Sequence, residues 1–191
     1  MKPGVLALQG AFREHVELLD GFAVEAVELR VPDDLAGIDS LILPGGESTT
    51  ISKLLVTSGL FEPLRAALHD GMPVLATCAG LILIARQVLD GRPDQVGFDL
   101  LDASVRRNAY GSQQQSFESP IAITGLPGGA FPGVFIRAPV IESVGTDVDV
   151  LATHDDHPVL VRSGPVWGAT FHPELSGDLR IHQQFLKETS A

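Results

Sequence analysis

The chain has 191 residues, 45% of them apolar, a formal charge of −11 and a single cysteine. That length suits one domain, residues 1–191, with a sizeable core, and the acidic balance argues against nucleic acid or an anionic membrane surface as partner. One cysteine excludes an internal disulfide, and no apolar run reaches the ~20 residues of a membrane-spanning helix. The opening MKPGVLALQG is too short in its apolar part for a signal peptide, so a reducing, cytoplasmic setting is expected, in which a lone thiol is available for chemistry.

From the N-terminus, GVLAL (4–8) predicts a buried strand, and the segment around Glu14, Leu18 and Leu19 a helix before Gly21. AVEAVEL (23–29) and DSLILP (39–44) follow as strands. After GGESTT, the spacing of Ile51, Leu54 and Leu55 predicts a helix capped by Ser48 or Thr49, and FEPLRAALHDG predicts another ending at Gly71. MPVLAT (72–77) is again a strand, with a helix expected from about Ala79 to Leu89. This alternation predicts an α/β fold with a mostly parallel sheet covered on both faces. The second half reads differently. ASVRRN, SPIAIT, GVFIRAPVIES, DVLATH, HPVLVR and VWGATF are short strands broken by Gly, Pro and Asp, which predicts antiparallel additions before a last helix, roughly Gly177 to Glu188.

Cys78 sits where a buried strand gives way to a helix, between the small residues Ala76 and Ala79-Gly80. A sharp turn there would expose the thiol to the helix N-terminus, which favours the nucleophilic thiolate. The other reading is a small buried hydrophobe, and position alone does not decide between them. A thiol nucleophile needs a base, and the base an orienter. Of six histidines, only His172 follows a strand-like run and precedes an acid, Glu174, whose side chain can share a face with it at period two. An ordinary loop histidine beside a solvated glutamate fits the same residues. His154-Asp155-Asp156-His157 lies in a polar gap between strands and reads as a hairpin turn, so no metal is expected. His15, His69 and His182 lie in helical patterns and read as surface or packing residues. In LPGGESTT (43–50), Pro-Gly-Gly can bend the backbone to present a free N–H; Gly46 and Ala79 would then pair as donors to an oxyanion on Cys78. A loop and a capped helix is the plainer reading, and the segment lacks the lysine of a phosphate loop.

Taken together, PGGES, TCAGL and FHPEL resemble the class I glutamine amidotransferases, which carry a Cys-His-Glu triad on a flavodoxin-like, three-layer α/β domain. GVLALQGAFREH, GGESTT, VRRNAYGSQQQSFE (105–118) and GVFIRAP (133–139) narrow the resemblance to the glutaminase subunits of pyridoxal 5'-phosphate synthase, over nearly the whole chain. The resemblance implies hydrolysis of L-glutamine to glutamate and ammonia without cofactor or metal. It also implies a hetero-oligomer in which a (β/α)8-barrel synthase subunit receives the ammonia. Carried over, Cys78 is the nucleophile, His172 the base and then acid, and Glu174 its orienter. Gly46, Glu47 and Ser48 match the glutamine-contacting loop, and Arg107, Ile136 and Arg137 match further substrate contacts. Two departures stand out: Ala76 replaces a common glycine, and GSQQQSFE lacks the arginine or acid of some relatives. A glutaminase of another pathway, an idle partner-binding subunit and a cysteine peptidase are the competing readings.

Overall fold

The structure is a computed structural model, and residues 2–107 and 116–189 are described. Strands β1 (Pro3–Leu6), β2 (Val27–Leu29), β3 (Ser40–Leu43) and β4 (Val74–Thr77) are parallel neighbours, and the helices between them are α1 (Phe12–Asp20), α2 (Ser48–Thr57) and α3 (Phe61–His69). A short α4 (Ala79–Ile84) leads to β5 (Ala85–Val88), β6 (Leu101–Arg106), β7 (Phe117–Ile121), β8 (Phe131–Phe135) and β9 (Val140–Val144). The chain then returns through β10 (Asp149–His154), β11 (His157–Ser163) and β12 (Val166–Ala169) before α5 (Arg180–Thr189). The main sheet runs β10-β11-β12-β4-β3-β1-β2; β12 joins β4 in parallel, while β10-β11-β12 is an antiparallel flank. Two smaller sheets, β5-β6-β9 and β7-β8, carry most of the remaining second-half strands.

Strand alternation builds three layers. On one face Leu41, Leu43, Val74 and Ala76 pack with α2, α3 and α4 and with Leu101 and Val105 of the small sheet. On the other, Ile42, Leu75, Trp167 and Ala169 pack against Leu19 of α1, Phe185 of α5 and Phe131 and Phe135 of the β7-β8 ribbon. The central strands are buried on both faces, as apolar runs in a parallel sheet require. The expected α/β architecture with a mostly parallel sheet and antiparallel additions is the one observed.

Several boundaries differ from expectation, and the strand expected over 23–29 forms only at Val27–Leu29. The helix after Cys78 stops at Ile84, because its six residues are all buried and the chain then emerges: Arg86 and Gln87 are exposed, and β5 pairs with β6. Glu47, not Ser48 or Thr49, caps α2, since its longer carboxylate reaches the Thr49 and Thr50 N–H groups at 3.2 and 2.8 Å. GVFIRAPVIES divides at Arg137 (φ 45°) into β8 and β9, which lie in different sheets. The last helix begins at Arg180, whose N–H is held at 3.0 Å by Asp178 Oδ1. His154-Asp155-Asp156-His157 is a hairpin turn joining β10 to β11, with Asp155 and Asp156 both at positive φ, as a two-residue primed turn demands.

Candidate active site

Cys78 stands at the corner where β4 becomes α4, with φ 47° and ψ −102°. A non-glycine residue holds such a conformation only when its neighbours impose it. Here the Cys78 N–H donates to Ala169 O of β12 at 2.8 Å, and Gly80 lies so close to the Leu43 carbonyl that a side chain would collide with it. The result is the tight strand-to-helix elbow anticipated from the small residues around the thiol. Sγ lies 3.9 Å from Ile136 O, and Ala79 opens α4, so its N–H has no partner within the helix.

His172 follows β12, its N–H donating to Val134 O of β8 at 2.8 Å, and Pro173 then turns the chain into a single 3-10 turn, Pro173–Leu175. That turn brings Glu174 Oε1 within 2.7 Å of His172 Nδ1, with both side chains buried. Burial opposes charge on His172, but hydrogen bonds to Cys78 and Glu174 outweigh it and raise its pKa from 6.5 to about 10. Burial likewise opposes charge on Glu174, yet His15 and His172 hold its carboxyl below the usual range.

The Pro-Gly-Gly loop crosses directly over this pair. A side chain at Gly45 would strike the His172 ring, so the crossing depends on glycine. The loop is braced from behind by LQGA: Gln9 Oε1 accepts the Glu47 N–H at 2.8 Å, and Gly45 O accepts the Ala11 N–H at 3.0 Å. With that carbonyl engaged, trans planarity turns the Gly46 N–H away from Ala11.

A cavity of about 130 Å³ opens at this point. Cys78, Ala79 and His172 line it together with Gly46, Glu47 and Ser48. Arg107, Ile136 and Arg137 complete it, so every sequence-derived site residue except the buried Glu174 faces one space. Arg107 lies between Glu47 Oε1 (3.2 Å) and Gln95 Oε1 (3.4 Å), whereas Arg106 points elsewhere and pairs with Glu142 at 2.8 Å. Thr49 and Thr50, through side chains and backbone, overcome burial and push the Glu47 pKa down to about 2. Ser48 Oγ is buried with no hydrogen-bond partner among the described residues. A larger cavity of about 320 Å³, sharing Ile82, is lined by Arg86, Arg92 and Asp99. Its lining holds no cysteine, serine or histidine. The remainder of VRRNAYGSQQQSFE, residues 108–115, lies outside the described residues.

Two histidines assigned only to surface or packing are fully buried beside Glu174. His15 Nε2 is 3.4 Å from Glu174 Oε2, and His15 Nδ1 is 2.9 Å from His182 Nε2. Their signal was in the pattern: His15 shares the inward stripe of α1 with Leu18 and Leu19, and His182 that of α5 with Phe185 and Leu186.

Comparison with known proteins places these features in context. Residues 5–191 match the SNO glutamine amidotransferase family. The pyridoxal 5'-phosphate synthase subunit PdxT of Parafrankia sp. (strain EAN1pec) is 52% identical over 184 residues, covering 96% of this chain and 91% of that protein. The PdxT subunit of Roseiflexus sp. (strain RS-1) is 50% identical, covering 97% and 99%. A crystal structure of a glutamine amidotransferase, 47% identical, superimposes with a TM-score of 0.92 over 99% of both chains. PurLQS from Thermotoga maritima, at 18% identity and a TM-score of 0.68 over 97% of each chain, shares the fold.

Proposed function

Because this chain belongs to the SNO glutamine amidotransferase family, we propose that its glutaminase reaction runs on Cys78, His172 and Glu174 within one domain, residues 1–191. It acts as a glutaminase subunit of pyridoxal 5'-phosphate synthase, converting glutamine to glutamate and ammonia. The single observation that supports the residue assignment is the convergence of Cys78, His172 and the Gly46-Glu47-Ser48 loop on one small cavity.

In this reading His172, whose pKa is raised to about 10, takes the Cys78 thiol proton as base and becomes the imidazolium that serves as acid in the next step. Sγ attacks the side-chain amide carbon of glutamine, and the N–H groups of Gly46 and Ala79 stabilise the oxyanion. His172 protonates the departing nitrogen, the C–N bond breaks, and ammonia leaves a thioester on Cys78. Water then attacks the thioester while His172 takes its proton, the C–S bond breaks, and glutamate departs. Glu174 holds the ring in one tautomer and balances its charge. Arg107 and Arg137 suit the substrate α-carboxylate and Glu47 its α-ammonium, while the unpartnered Ser48 hydroxyl suits a further polar contact. Ile136, whose carbonyl lies 3.9 Å from Sγ, lines the same cavity.

The partner in this reading is a barrel synthase subunit that takes up the ammonia in a hetero-oligomer, and the working compartment is the reducing cytoplasm. Among the described residues no helix is long and apolar enough to cross a membrane. The test is glutamate release from glutamine, measured alone and with the synthase subunit. Turnover that rises with that subunit and disappears in Cys78→Ala is expected; turnover surviving in Cys78→Ala would overturn the assignment.

A further inference from the structure

We propose that His15 is a positioning residue for glutamine hydrolysis, donating its Nε2–H to the second oxygen of Glu174 while His182 fixes its tautomer from behind. The inference rests on the role given to Glu174 above.

Glu174 is buried, and only Oε1 is engaged by His172. Oε2 accepts no hydrogen bond among the described residues; the ring nitrogen nearest it is His15 Nε2, 3.4 Å away, which makes a long hydrogen bond with Thr77 Oγ1, also at 3.4 Å, and can turn its proton to the carboxylate. A buried carboxylate with one oxygen lacking an ordinary hydrogen bond is costly.

The protons on the two rings follow from this setting. Burial keeps His15 below its ordinary pKa and pushes His182 down to about 3, so each neutral ring carries one proton. Were the His15 proton on Nδ1, its Nε2 lone pair would point at an ionised carboxylate. The favoured tautomer therefore carries Nε2–H toward Glu174 and accepts the His182 Nε2–H at Nδ1, 2.9 Å away. His182 Nδ1 is then a bare acceptor, and it is the atom of this pair without a partner. The row His182, His15, Glu174, His172 thus ends on the ring that serves Cys78. It joins α5 and α1, on one side of the main sheet, to the turn after β12.

The experiment compares His15→Asn and His15→Gln, each also combined with Glu174→Gln, by steady-state glutamate release with the synthase subunit present. Asn can retain the bond to His182 but falls short of Glu174, whereas the Gln amide reaches the position of Nε2. His15→Asn should lower kcat about 10- to 100-fold with KM within about twofold, the loss of one hydrogen bond to a buried charge; Gln should recover most of it. In the Glu174→Gln background, His15→Asn should change kcat by less than about threefold, because the two act as a unit. Equal losses in both backgrounds, or Asn as active as Gln, would make His15 a packing residue and overturn the proposal. The two readings fail differently. Full turnover in Glu174→Gln removes the triad assignment itself, whereas a crippled Glu174→Gln beside a fully active His15→Asn removes only the role of His15. Melting temperatures of all variants separate misfolding from this effect, and the Asn-against-Gln contrast stands even if both are destabilised.

Discussion

The two sides of the cavity around Cys78 are built on different physics. On the His172 side, polar groups lie inside the protein: the Glu174 side chain is 0% exposed, and its partners His15 and His182 are buried with it. On the Glu47 side, the carboxylate that caps α2 is 44% exposed and Arg107 15%, and their contacts are made across loops. A buried charge has few permissible geometries, so that side arrives assembled. A half-exposed ion pair contributes little to stability and can exchange its partner for a substrate carboxylate or ammonium without large cost. One side is thus suited to chemistry and the other to recognition.

Substitutions should separate the two sides, beginning with the largest effect. Cys78→Ala should abolish glutamate release, a loss on the order of 10⁶-fold by analogy with other triads, with the melting temperature nearly unchanged. Glu174→Gln should cost on the order of 10⁴-fold in kcat and leave KM for glutamine near its original value. Retained kcat with a raised KM would move Glu174 from the chemical side to the recognition side. Arg107→Ala should do the reverse, raising KM about 10- to 100-fold with a modest change in kcat, as steady-state kinetics would reveal.

The smallest effect is on stability against pH. His172 has a folded pKa of about 10 against an ordinary 6.5, so its stabilising contribution is fully present below pH 6.5 and is lost as pH rises toward 10. The difference in melting temperature between the native chain and His172→Asn should shrink across that window. Glu47 has the opposite sign: its contribution is present above pH 4.5 and lost only as pH falls toward 2. A melting-temperature gap for Glu47→Gln that closed between pH 6.5 and 10 instead would contradict the division drawn here.

Much of this was legible in one dimension. The apolar runs of β1, β3 and β4 sit between helical repeats because a parallel sheet buries both faces, and the turn residues of the second half mark its hairpins. Small residues flanking Cys78 foretold the elbow, whereas the contact of His172 with Glu174 is made by the 3-10 turn at Pro173–Leu175 and not by the extended, period-two chain expected. Element ends were less legible. The stop of α4 at Ile84 depends on where the chain leaves the core, and the capping of α2 by Glu47 on how far a longer side chain can fold back.

By itself, then, the sequence determined which residue types could do chemistry and which stretches had to be buried, because periodicity and turn chemistry are local properties. Only the tertiary structure decided what lies behind them. Gln9 braces the glycine loop from 38 residues away, and His182 meets His15 across 167. Such contacts are set by how the layers close over the sheet, and burial then holds a histidine on an apolar stripe below its ordinary pKa beside a carboxylate rather than leaving it a solvated base.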